Sequence, residues 1–180
     1  TLMEYKGMPG VWIDYYENGF RHVCEKLLPD LSESDIASGM EILRGYNPTI
    51  KYREADYSHK RIFGEIAKKW GTDISTDKIA YCFFEAFPLE AYTYPETIPV
   101  LYQLRTIGIK TATLTDVATG MPDELHKSYF PELIPYFDFY VSSTSCRYRK
   151  PNIKGLVDIA VHFGVKPDEM IFIGDERKDV

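Results

Sequence analysis

The run Met170-Ile171-Phe172-Ile173-Gly174-Asp175-Glu176-Arg177-Lys178-Asp179 reads as a short buried strand that delivers two acids, Asp175 and Asp179, at its end. Carboxylates in that position suit a hard cation such as Mg2+, which takes oxygen ligands. Two further signals lie upstream. Thr115 closes the apolar run Thr113-Leu114-Thr115-Asp116, and Lys150 stands in Arg149-Lys150-Pro151-Asn152 ahead of a helix. A hydroxyl beside free backbone N–H groups holds a phosphate oxygen, a lysine neutralises its charge, and two carboxylates hold Mg2+ against another oxygen. Together they are parts for stabilising a transferring phosphoryl group, where positioning and charge neutralisation do most of the catalysis. The plainer alternative for the acids is a solvated turn at a helix N-terminus, where the dipole favours negative charge.

Elements that bring these residues together follow from the apolar spacing. Trp12, Tyr16, Phe20, Val23 and Leu27 stripe a helix ended by Pro29. Ser32 with Asp35 caps a second helix carrying Ile36, Met40 and Leu43. Ile62, Phe63, Ile66, Ala67 and Trp70 stripe a third that Gly71 stops, and Ser75 or Thr76 caps a fourth burying Ile79, Phe83 and Phe87. Residues 10–88 therefore read as a small helical bundle. After Pro88 helices and strands alternate: helix from Thr97 to the stop at Gly108, strand 109–114, helix 122–129, strand 137–142, helix 152–163 and strand 170–173. Such alternation calls for an α/β fold with a doubly wound parallel sheet, and ligands bind beyond the carboxyl ends of its strands. The 91–95 stretch is the expected hinge between the two parts.

Composition narrows the function classes. The 180 residues are 44% hydrophobic and 27% charged, with a formal net charge of −6, which suits a globular protein and argues against a broad nucleic-acid surface. The basic runs 51–53 and 60–61 read as solvated. No stretch has the length of a membrane helix, and Cys24, Cys82 and Cys146 lack the paired spacing of a zinc or disulfide framework. They read as reduced, mostly buried cytoplasmic thiols. His126 reads as a surface histidine, Glu176 as solvent-facing, Thr113 as a second candidate on the face of Thr115, and Asp116 as a donor of its backbone N–H alone. Nothing in their spacing separates Arg21, His22, Arg44, His59 and Lys60 from surface charges.

In order and setting, a helical segment, then Thr115, then Lys150, then Asp175 with Asp179 resemble the motifs of the haloacid dehalogenase-like hydrolase superfamily, in its phosphatase branch with a helical C1-type cap. The resemblance implies a Rossmann-like core formed by 1–7 and 91–180, with a helical cap at 8–90 inserted into it. It also implies that Thr115, Asp116 and Lys150 bind the phosphoryl group of a small soluble metabolite, with Thr115 and Lys150 taking the catalytic roles. Asp175 and Asp179 would hold Mg2+, Asp179 alternatively orienting Lys150.

The family's first motif, Asp-x-Asp-Gly-Thr-Leu/Val, does not occur in the chain; Thr1-Leu2 resembles its last two residues. The nucleophilic aspartate, which would form an aspartyl-phosphate, is therefore expected upstream of Thr1. In the family's strand order that motif's strand lies between the strands ending in Thr115 and Asp175, so no direct pairing of 110–114 with 170–174 is expected. A phosphomutase with the same site, or a non-catalytic binding or scaffold module, are the alternatives. A dehalogenase would have no use for the acidic pair.

Overall fold

The computed structural model describes residues 2–8 and 10–179; the reading placed on Thr1 lies outside them. Four helices form the first half. After a 3-10 turn at Trp12–Tyr15, α1 spans Tyr16–Leu27, and α2 (Glu33–Gly45) starts at a reciprocal cap. There the Asp35 N–H donates to Ser32 Oγ at 3.2 Å and the Ser32 N–H donates to Asp35 Oδ2 at 3.0 Å, satisfying two amides that the helix cannot. α3 (His59–Trp70) ends where Gly71 turns left-handed at φ 67°, and α4 (Thr76–Glu85) is capped by the Ser75 hydroxyl.

The apolar stripes meet in one core. Phe20, Val23, Leu43, Ile62, Phe63, Ile66, Ile79 and Phe83 are fully buried in it, and each such side chain contributes about 1.5–3 kcal/mol by leaving water. Met121, in the loop after Thr115, is buried in this helical core as well. Gly120 just before it has φ 82°, and a Cβ there would stand 3.0 Å from the Phe63 ring. The loop that follows Thr115 is thus seated beneath the helices, a contact that periodicity does not report.

The second half is the α/β part. β1 (Met3–Lys6) pairs antiparallel with β2 (Glu90–Thr93), with Met3 opposite Thr93 and Lys6 opposite Glu90. This corrects the hinge reading of 91–95, most of which is paired strand. α5 (Thr97–Thr106) leads to β3 (Ala112–Thr115), and α6 (Asp123–Ser128) leads to β4 (Phe139–Ser142), which lies parallel to β3 with Thr115 opposite Ser142. α7 (Ser143–Cys146) and α8 (Lys154–Phe163) follow. α8 covers the β3–β4 pair, placing Ile159 among Leu114 and Val141.

The expected strand at 170–173 does not form. The segment follows a 3-10 turn at Pro167–Glu169 without ladder pairing, and Ile171 and Ile173 are 90% and 83% exposed. An apolar run becomes a strand only when a neighbour takes up its backbone N–H and C=O groups. Among the described residues the sheet partner of β3 is β4. With no strand at 170–173, the expected order of strands around β3 is not tested.

His126 also departs from its surface reading. It is 7% exposed, accepts or donates at Nδ1 with the Tyr140 hydroxyl at 2.9 Å, and faces the rings of Tyr5 and Phe130. Burial pulls its pKa down to about 4, against the opposing charge of Asp123.

Candidate active site

Lys150 and Asp179, 29 positions apart in sequence, form the centre of the site. Lys150 Nζ lies 2.6 Å from Asp179 Oδ1, and their side chains are 14% and 3% exposed. The Glu176 N–H donates to Asp179 Oδ2 at 2.9 Å, so both carboxylate oxygens are engaged. Burial alone would raise the Asp179 pKa. The Lys150 bond, the Glu176 amide and the charges of Lys150 and Lys178 outweigh it and hold the carboxyl below its usual value. Gly174 belongs to the same arrangement, because a Cβ there would fall 2.3 Å from Asp179 Oδ2.

Asp116 draws the end of β3 into this cluster. Its Oδ1 accepts the Lys150 backbone N–H at 3.1 Å, and its Oδ2 meets Lys178 Nζ at 3.0 Å. The reading that Asp116 offers its amide alone is therefore corrected: its side chain bridges two lysine-bearing segments. Lys178 was not singled out by spacing, and its position beside Asp179 was the available signal. Burial lowers its pKa, yet the bonds to Glu176 and Asp116 raise it overall. Glu176 remains largely exposed, as expected, while pairing with Lys178 at 2.8 Å.

Thr115 closes β3 immediately before Asp116 and is half-buried. Thr113 fails as its substitute, since its hydroxyl is committed to the β4 backbone, at 3.2 Å from the Val141 N–H and 3.3 Å from the Val141 carbonyl. Asp175 is exposed.

A second buried ion pair ties the helical half to this loop cluster. Arg149 donates to Asp56 Oδ2 at 2.7 Å and to the Val117 carbonyl at 3.0 Å, and Asp56 is 4% exposed. The backbones join as well, through the Asp56 N–H to the Arg147 carbonyl at 2.9 Å and the Arg149 N–H to the Glu54 carbonyl at 2.7 Å. Arg53, read as solvated, is packed between Tyr46 and Tyr57, with its guanidinium 4.8 Å from the Tyr57 ring. Arginine stacks on aromatic faces more readily than lysine does, which separates it from exposed Lys51.

A model of the haloacid dehalogenase-like hydrolases matches residues 12–180. The chain belongs to that family. It is 30% identical over 169 residues to the glyceraldehyde 3-phosphate phosphatase of Methanopyrus kandleri, covering 91% of this chain and 68% of that protein. The phosphoglycolate phosphatase of Nitrosospira multiformis is 30% identical over 91 residues, 51% of this chain and 39% of that enzyme. The matched stretch thus spans about two-fifths of the Nitrosospira enzyme. A haloacid dehalogenase-like hydrolase of Bacteroides fragilis superposes with a TM-score of 0.49 at 16% identity, covering 99% of this chain and 76% of that one. In this haloacid dehalogenase-like hydrolase the helices at the front of the chain and the α/β part behind them keep the order expected from the motifs.

Proposed function

We propose that the chain is part of a Mg2+-dependent phosphomonoester hydrolase acting on a small phosphorylated metabolite, with 8–90 as its cap and 1–7 with 91–180 as its core. One observation carries the reading. Asp116, Lys150, Lys178 and Asp179, from three segments distant in sequence, converge through contacts of 2.6–3.1 Å beyond the carboxyl end of β3. That is where a doubly wound sheet binds its ligands. The phosphatases of phosphorylated compounds among the relatives support the same class.

Roles follow from the surroundings of each group. Thr115 and the Asp116 amide hold phosphoryl oxygens, and Lys150 neutralises the charge that develops on them. Asp179 fixes the Lys150 ammonium in place, because both of its oxygens are already engaged. Asp175 is the residue that would hold Mg2+. The fit is chemical: an exposed carboxylate suits an ion that keeps several waters and takes one or two carboxylates plus substrate oxygen. When bound, the ion would withdraw charge from the phosphoryl oxygens. The attacking carboxylate is assigned to the aspartate of the family's first motif. Cysteines 24, 82 and 146 are unpaired, which fits a reducing compartment such as the cytoplasm.

The test is release of phosphate from p-nitrophenyl phosphate by the full-length protein with and without Mg2+. Turnover that chelator abolishes and Mg2+ restores is expected. Metal-independent turnover would overturn the assignment of Asp175, and absence of phosphate release by the full-length protein with Mg2+ would favour a scaffold.

A further inference from the structure

Away from this site, α1 and α4 bring three donor side chains of a different character together. His22 lies on α1; Cys82 and Glu85 lie one turn apart on α4 and so share a helix face. Their ligand atoms all lie within 4.8 Å of one another, with His22 Nε2 3.5 Å from Glu85 Oε2. Cys82 is 6% exposed, whereas the His22 and Glu85 side chains are 24% and 67% exposed. One donor is thus rooted in the helical core and the other two open outward, which leaves a path for an ion. We propose that His22, Cys82 and Glu85 form a Zn2+-class site that joins α1 to α4, independent of the phosphoryl site.

Ligand chemistry selects the ion. A thiolate, an imidazole and a carboxylate are the three donor types of tetrahedral zinc sites, and three protein ligands leave the fourth position to water. Mg2+ is disfavoured because it requires an oxygen shell. In a tetrahedral site with bonds of about 2.0–2.3 Å, neighbouring donors stand about 3.5 Å apart. The His22–Glu85 separation already meets that spacing, and the exposed Glu85 carboxylate has the freedom to close on Cys82. Without an ion, burial and then Glu85 hold the Cys82 thiol protonated, against the nearby charge of Lys26. Binding replaces that proton, which leaves to solvent, by the metal. The ion would cross-link the two helices and stabilise the folded chain by mass action.

Co2+ reports directly on thiolate ligation. Titrating chelator-stripped full-length protein with Co2+ is expected to give a sulfur-to-cobalt charge-transfer band that saturates at one ion and is displaced by Zn2+. Cys82→Ser should abolish the band, and His22→Gln should weaken Co2+ binding by about tenfold or more. Cys24→Ser and Asp175→Asn should leave it intact, separating this site from the half-buried Cys24 thiol and from the phosphoryl site. If Cys82→Ser does not fold, the solvent-open His22→Gln and Glu85→Gln variants carry the test. No band in the wild type, a band that survives Cys82→Ser, or unchanged affinity in both His22→Gln and Glu85→Gln would overturn the proposal.

Discussion

The Lys150 ammonium and the Asp179 carboxylate lie 2.6 Å apart, and the same lysine's backbone N–H is held by Asp116 at 3.1 Å. Lys150 is therefore fixed at both ends, by its peptide and by its charge. Replacing Asp179 with Asn keeps the shape but removes the charge that aims the ammonium. Kcat/KM for an aryl phosphate is expected to fall by about 10–100-fold, as for other supporting groups around catalytic centres. Lys150→Ala should cost more than Asp179→Asn, and the double variant little beyond Lys150→Ala, because residues acting as a unit are not additive. Steady-state kinetics of the three variants checks this, and equal single effects that sum in the double would contradict the coupling.

Asp175 is assigned a different task, so its variant should differ in kind. Asp175→Asn is expected to raise the Mg2+ concentration for half-maximal activity by about tenfold or more while leaving thermal stability near wild type, since the side chain is exposed. Mg2+ dependence measured alongside the melting curve tells the roles apart. A large loss of stability with unchanged Mg2+ dependence would assign Asp175 to structure.

Two glycines in the helical half should respond differently to alanine, Gly19 without gain and Gly45 with one. A Cβ on Gly19 would meet the Phe83 ring at 2.5 Å, and that ring is fully buried. Overpacking costs about 1–3 kcal/mol, which exceeds or cancels the gain of about 1 kcal/mol from helix propensity. At Gly45, the last residue of α2, nothing lies within 4 Å. Gly45→Ala should therefore stabilise by up to about 1 kcal/mol. Urea denaturation of both variants reads the signs.

His126 predicts a pH window. Its folded pKa, about 4, lies below the ordinary value of 6.5, so the unfolded chain binds a proton first as pH falls. Stability is unaffected by this group above pH 6.5, declines as pH drops from there, and has lost the full contribution below about 4. The shift corresponds to a loss of about 3 kcal/mol. His126→Gln, which keeps a polar partner for Tyr140, should flatten the fall between pH 6.5 and 4 in urea midpoints. An equally steep decline in the variant would show that other groups carry it.

Helix positions were legible in the residues because their causes are local. Ser32 with Asp35, Gly71 and Ser75 mark helix ends within three residues of the groups they satisfy, and the Phe20, Phe63 and Phe83 stripes need only a 3.6-residue period. The settings of Thr115 and Lys150 were legible for a similar reason, since Thr115 ends β3 and Lys150 precedes α8, elements that their neighbours announce. The strand at 170–173 was misread because its apolar residues meet the composition of a strand but not its other requirement, a hydrogen-bonding neighbour.

The amino-acid sequence by itself determined the helical first half, the alternating second half and the residue types able to meet phosphate and a hard cation. Tertiary structure alone decided how those residues are used. It turned the Asp116 side chain to Lys150 and Lys178, gave Asp179 to Lys150, committed Thr113 to the β4 backbone, buried His126, and joined Arg149 to Asp56. Each of these is a contact between groups at least 14 positions apart. Their energies depend on burial and on distances of a few ångströms, which spacing along a chain does not encode until the chain has packed.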